Sequence, residues 1–186
     1  MGTSGMAEDV IVLLDYIGWT AARELHVVGL SLGGMIAQEA KIPLLFDMLY
    51  PSSWLEQVSE HDETGKGRTN REVEIEHYRK RFEVTPPQSL IGALSQMAAG
   101  LTHYVSDDRL RKISAEIPKV VILTGDDDHL VDPQKSFYLK EHMPDAEFIQ
   151  WKETGHAIHY QHRKRFNELV KRVIQEGKEK ALKKSN

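Results

Sequence analysis

The chain has 186 residues, 40% of them hydrophobic and 28% charged, which points to one globular domain and excludes a disordered or collagen-like chain. Lys and Arg total 24 against 28 Asp and Glu, and a formal net charge of -4 argues against duplex nucleic acid as a partner. With no cysteine, a disulfide framework, a thiolate metal site and thiol catalysis are all ruled out.

The N-terminus, Met1 to Met6, has no basic stretch followed by an apolar core, so it does not read as a secretory signal. No apolar run reaches the roughly 18 residues that a membrane helix needs. The expectation is a cytoplasmic protein without a transmembrane segment.

From Ser4 to Gly18 the apolar residues Met6, Val10, Leu13, Leu14 and Ile17 recur at steps of three and four, which predicts an amphipathic helix. Leu25 to Val28 is a short buried strand, Gly29 to Gly34 a tight glycine turn, and Met35 to Lys41 a helix. Residues 42–117 differ in character: Pro43, Pro51, Pro86 and Pro87 divide short helical patterns such as Arg71 to Phe82 and Ser89 to Ala99, and no strand is predicted. The polar segment His61 to Asn70, with Gly65 and Gly67, reads as a mobile loop. After Pro118 come a strand over Val120 to Thr124, a helix over Pro133 to Met143, a strand over Ala146 to Trp151 and a helix over Arg163 to Glu176. Lys178, Lys180, Lys183 and Lys184 then form a solvated, fraying tail. Strands alternating with helices imply a parallel α/β sheet.

Gly29-Leu30-Ser31-Leu32-Gly33 matches G-x-S-x-G between a predicted strand and a predicted helix. A sharp turn there exposes the serine hydroxyl, and the helix aims its N-terminal amides at the same spot, with Leu32 N–H as an oxyanion donor. A serine hydroxyl attacks only when a base removes its proton, so a histidine and an orienting carboxylate are required. Asp128 lies just past one predicted strand and His156 just past the next, where strand ends of a parallel sheet converge. Asp126 to His129 with His156 and His159 offers metal-ligand types instead, but Leu130 and Val131 spoil the spacing of a calcium loop. Asp126 and Asp127 are more simply turn residues, and His26, His61, His77, His103 and His142 are read as surface or packed histidines without partners. Phe46, Met48 and Trp54 suit an acyl pocket and core packing equally well.

Three stretches, His26 to Met35, Leu123 to Val131 and Gly155-His156-Ala157, resemble the α/β-hydrolase superfamily of the single-domain esterase, lipase and cofactor-free haloperoxidase type. The resemblance implies an α/β fold, a partial α/β-hydrolase core with a mostly parallel sheet flanked by helices and a helical cap insertion. It places the triad acid three residues after the glycine that ends its strand, which selects Asp128 over Asp126, Asp127 and Asp132. It implies a catalytic triad of Ser31, Asp128 and His156, with Leu32 at the oxyanion hole, acting on a small-molecule ester or acyl substrate with no cofactor and no metal. A serine at the elbow argues against haloalkane dehalogenases and epoxide hydrolases, whose nucleophile is a carboxylate.

On this reading residues 1–41 carry the N-terminal part of the core and the elbow, 42–117 the helical cap, 118–177 the C-terminal part of the core, and 178–186 a basic tail. The resemblance also implies strands and a His-Gly loop ahead of the elbow, and a strand after the elbow helix, that the sequence does not supply. The expectation is therefore an N-terminally truncated, internally shortened hydrolase of weak activity. The alternative is a non-catalytic remnant that depends on a protein partner or self-associates through an exposed sheet edge.

Overall fold

The computed structural model describes residues 42–84 and 90–183. The predicted N-terminal helix, the strand Leu25 to Val28, the glycine turn and the helix Met35 to Lys41 lie outside the described residues. Among the described residues ten elements run in order: α1 (Ile42–Leu49), α2 (Ser52–Leu55), α3 (Asn70–Val84), α4 (Leu90–Leu101), α5 (Asp107–Glu116), β1 (Val121–Gly125), α6 (Gln134–His142), β2 (Glu147–Trp151), α7 (Ile158–Gln161) and α8 (Arg163–Lys183). Two compact units emerge, one holding α4 and the other every remaining described element. Helix α4 closes where Thr102 turns back on the chain, its N–H and its Oγ1 both donating to Ala98 O.

In the larger unit β1 and β2 pair in parallel, from Val121 opposite Glu147 to Gly125 opposite Trp151. The β-branched and apolar run of β1 favours this, with Ile122 and Thr124 buried. Helix α6 makes the crossover that a parallel pair requires, and the Phe137 ring on it packs tilted against Phe148 of β2, 4.8 Å between centroids. Both strands and the crossover helix fall within a residue of their predicted bounds at each end, the usual fraying of element ends. At the start of the sheet Lys119 bridges Glu147 and Glu176 at 2.5 Å each, and Arg172 adds bonds to both, tying α8 to β2.

Among the described residues, the region 42–117 holds no strand, only an isolated bridge between Val58 and Thr69. Its core consists of Phe46, Tyr50 and Leu55 with Ala157, against which Leu49, Trp54, Ile75, Tyr78 and Tyr160 pack. Phe46 is only 2% exposed and stacks on Tyr50, which in turn stacks on Trp54 at 4.8 Å. Phe46 and Trp54 thus pack within this cluster.

Three expectations are corrected. The segment His61 to Asn70 is a tied turn: Asp62 accepts hydrogen bonds from Thr64 N–H, Thr64 Oγ1, Arg68 N–H and Arg68 Nε. Those bonds, Thr64's first, hold the Asp62 carboxyl well below its usual range. Gly65 and Gly67 supply the two positive φ angles of the turn, +67° and +71°. The last helix does not stop at Glu176: it runs on through Lys183, because Ala181, Leu182 and the lysines are good helix formers and Gln175 bonds Glu179 one turn on. Finally, His142, His77 and His103 are not without partners: His142 Nδ1 lies 2.9 Å from Tyr138 O and its Nε2 3.5 Å from Asp107, while His77 Nδ1 lies 3.6 Å from Glu74.

Candidate active site

The parallel register decides which loops meet. Because Gly125 stands opposite Trp151, the segments that leave the two strands run side by side. Asp126 N–H donates to Trp151 O at 3.1 Å and Asp127 N–H to Thr154 O at 3.0 Å, so the pairing continues one step past the sheet. Gly125 is needed here, since a Cβ on it would stand 2.0 Å from the Thr154 carbonyl oxygen. Asp128 and His156 are thereby brought together.

His156 Nδ1 lies 2.8 Å from Asp128 Oδ2, with 14% of the histidine side chain and 8% of the aspartate side chain exposed. The other carboxylate oxygen, Oδ1, accepts Leu130 N–H at 2.9 Å and Val131 N–H at 2.8 Å. Burial pushes the Asp128 carboxyl up, but the His156 bond and the Val131 and Leu130 amides outweigh it and hold the group below the ordinary carboxylate range. An ionised carboxylate only accepts, so Nδ1 carries the proton in this bond. In a neutral imidazole Nε2 is then the basic nitrogen. That atom is buried and has no hydrogen-bond partner among the described residues. A buried unpartnered imidazole nitrogen is costly, and such groups cluster where chemistry needs them.

The loop that carries His156 is built from both sides. On one side Gly155 lies so close to α1 that a Cβ there would stand 2.5 Å from Leu49 O, and Ala157 N–H donates to that same oxygen at 3.1 Å. On the other side Thr154, wholly buried, donates from Oγ1 to Lys152 O at 2.8 Å and meets His162 Nε2 at 2.9 Å. Since the hydroxyl proton goes to Lys152 O, His162 Nε2 is the donor in that second bond. Trp151 packs edge-on to the His162 ring, and Arg165 lies 4.0 Å over the face of Trp151. Burial and, after it, Arg165 push His162 below the usual histidine range. Burial does the same for His159, with Arg81, His156 and Arg163 adding to it.

The remaining acidic residues of the turn do other work. Asp126 lies 3.3 Å from Lys152 and accepts Thr154 N–H, and Asp127 lies 3.2 Å from His129. Among the described residues no group of three or more His, Asp or Glu is arranged to hold a metal ion, because each of these carboxylates faces a different partner. Ser31 and Leu32 lie outside the described residues. Sequence reading missed the Leu130 and Val131 amides, Thr154, His162 and Gln161; the aspartate followed by a turn was a signal for the first two, and nothing in the pattern marked the others.

The pattern of the alpha/beta hydrolase family matches residues 3–169. No curated protein matches the chain. Among solved structures, the chain is similar to the "putative non-heme bromoperoxidase BpoC" of Mycobacterium tuberculosis H37Rv, with a TM-score of 0.52 and 14% identity. The match covers 94% of this chain and 53% of that one, so the chain spans about half the length of that structure. Among the described residues no helix is long and apolar enough to cross a membrane.

Proposed function

Because this chain belongs to the alpha/beta hydrolase family, we propose that it is a serine hydrolase that cleaves an ester or related acyl bond of a small molecule with Ser31, His156 and Asp128. The observation that carries this reading is the His156 pair: Nδ1 on a buried carboxylate at 2.8 Å, and Nε2 buried with no partner among the described residues. Imidazole held in that tautomer is the general base that a serine nucleophile needs, and Gly29-Leu30-Ser31-Leu32-Gly33 provides the serine within the matched span.

In the reaction Ser31 Oγ attacks the acyl carbon as its proton passes to His156 Nε2. The carbonyl π pair moves onto oxygen, where Leu32 N–H stabilises the charge. Collapse expels the alcohol, which takes the proton from His156, leaving an acyl serine. Water then repeats the sequence, giving its proton to Nε2 and releasing acid and free Ser31. Asp128 stays ionised and offsets the charge of the imidazolium. The description of the similar structure as a bromoperoxidase makes hydrogen peroxide a second nucleophile to assay against the acyl serine in place of water.

Purified protein assayed on a panel of p-nitrophenyl esters of increasing acyl length tests the reading. Turnover that disappears in Ser31→Ala supports it; turnover that survives in Ser31→Ala refutes the assignment of the nucleophile.

A further inference from the structure

Gln161, at the end of α7, spans the loop that holds His156 with both ends of its amide. Gly155 N–H donates to Gln161 Oε1 at 3.0 Å, and Gln161 Nε2 donates to Glu153 O at 2.6 Å. The two partners fix which end is which, because an amide N–H needs an acceptor and a carbonyl needs a donor. Gln161 is 7% exposed and its bond from Gly155 N–H is buried, while its bond to the carbonyl of exposed Glu153 is partly buried.

The bracketed loop also needs restraint. Glu153 has φ of +51°, the one positive value of a non-glycine among the described residues, a conformation that side chains disfavour. Gly155, the residue directly before His156, is pressed on its far side against Leu49 O. A side chain that bonds Glu153 O and Gly155 N–H therefore closes a ring across Thr154, fixing the carbonyl of the strained residue at one end and the amide of the residue before His156 at the other.

We propose that Gln161 is a positioning residue that holds His156 against Asp128 by bonding both Glu153 O and Gly155 N–H, an inference that rests on the serine-hydrolase reading only for its kinetic consequence. Gln161 does not touch the reacting atoms. It acts through the loop: without it Glu153 relaxes toward ordinary backbone angles, Gly155 loses its acceptor, and the His156 ring moves off Asp128 Oδ2. A displacement of that kind costs on the order of 10² in rate when the reacting groups must be held closely.

Three variants of the full chain decide the matter. Gln161→Met keeps length and removes both bonds, Gln161→Glu keeps the acceptor for Gly155 N–H and removes the donor to Glu153 O, and Ser114→Ala removes a partly buried bond, Asp145 N–H to Ser114 Oγ at 3.0 Å, before β2 rather than after it. Two readouts are taken: the imidazole Nδ1–H resonance of His156 by NMR, and kcat with KM on the best ester.

For Gln161→Met the resonance is expected to be lost or strongly shifted and kcat to fall by about 10- to 100-fold with KM changed less than about threefold. Gln161→Glu, which sets an acceptor against Glu153 O, should disturb both readouts as well, and Ser114→Ala should leave both unchanged. If Gln161→Met does not fold, Gln161→Glu carries the test alone, with a shifted resonance as the supporting result. A parent-like resonance in the folded glutamine variants, or an equal disturbance in Ser114→Ala, overturns the proposal. Should the parent show no esterase turnover, the hydrolase reading fails while the resonance still decides the role of Gln161.

Discussion

Asp128→Asn is the substitution whose consequence follows most closely from the geometry. Asp128 Oδ1 accepts two backbone amides, Leu130 N–H at 2.9 Å and Val131 N–H at 2.8 Å. An asparagine in that place must present its oxygen to them, because its NH₂ would face two donors. The NH₂ is thereby turned toward His156 Nδ1, 2.8 Å from the position of Oδ2. Nδ1 then has to accept, the ring proton moves to Nε2, and the nitrogen that should take the serine proton becomes a donor. The shape of the site is kept while the tautomer is reversed, for which a loss of about 10⁴ in turnover is known from a serine protease. At 1.36 kcal/mol per decade this is roughly 5 kcal/mol of transition-state stabilisation. The assay is the rate of labelling by a fluorophosphonate, which depends on serine activation and not on turnover, with a thermal melt to establish folding. Asp128→Ala, which leaves the Leu130 and Val131 amides unaccepted as well, should lose about 1–3 kcal/mol of stability in addition. A folded Asp128→Asn protein labelled within tenfold of the parent rate would refute the reasoning.

Glu147 is held at about 2, below its ordinary 4.5, by Arg172 and Lys119; its stabilising contribution is complete above about 4.5 and drains as pH falls toward 2, so the melting temperature should drop across that window and Glu147→Gln should flatten the drop. Asp128, also depressed, contributes with the same sign. Gly155→Ala and Gly125→Ala each drive a Cβ into a carbonyl oxygen, at 2.5 and 2.0 Å, and should each cost about 3 kcal/mol in denaturant melts, with His156 displaced in both. Arg163 Nη2 bonds Glu74 at 2.5 Å, and the Glu74 side chain is only 4% exposed. Arg163→Met should therefore cost about 3 kcal/mol by chemical denaturation, and the double change with Glu74→Gln should recover most of the loss.

How far the sequence carried the fold depends on what each element buries. The runs Val120 to Thr124 and Ala146 to Trp151 are legible because a strand packed on its faces must be apolar, and the helix between them implies the parallel pairing that the structure shows. The placing of Asp128 beside His156 follows from strand ends and needed only the element order. Helix α3 is different: Asn70 to Val84 has no clean apolar stripe, yet it buries Val73 and Glu74, the latter against Arg163 from far along the chain. A buried glutamate paired over 89 residues reads in sequence as a solvated one. Gln161 was invisible for the same reason, since its value lies in two backbone groups that only the folded loop presents. The turn around Asp62 looked loose because its residues are polar, although their polarity is what ties it together.

The most direct measurement of the central claim is the site of covalent modification by a fluorophosphonate, mapped by peptide mass spectrometry in the parent and in His156→Ala. A single adduct on Ser31 in the parent, formed at least about 10³-fold more slowly in His156→Ala, is the predicted result. An adduct on any other serine, or labelling of Ser31 at an undiminished rate without His156, would contradict the account.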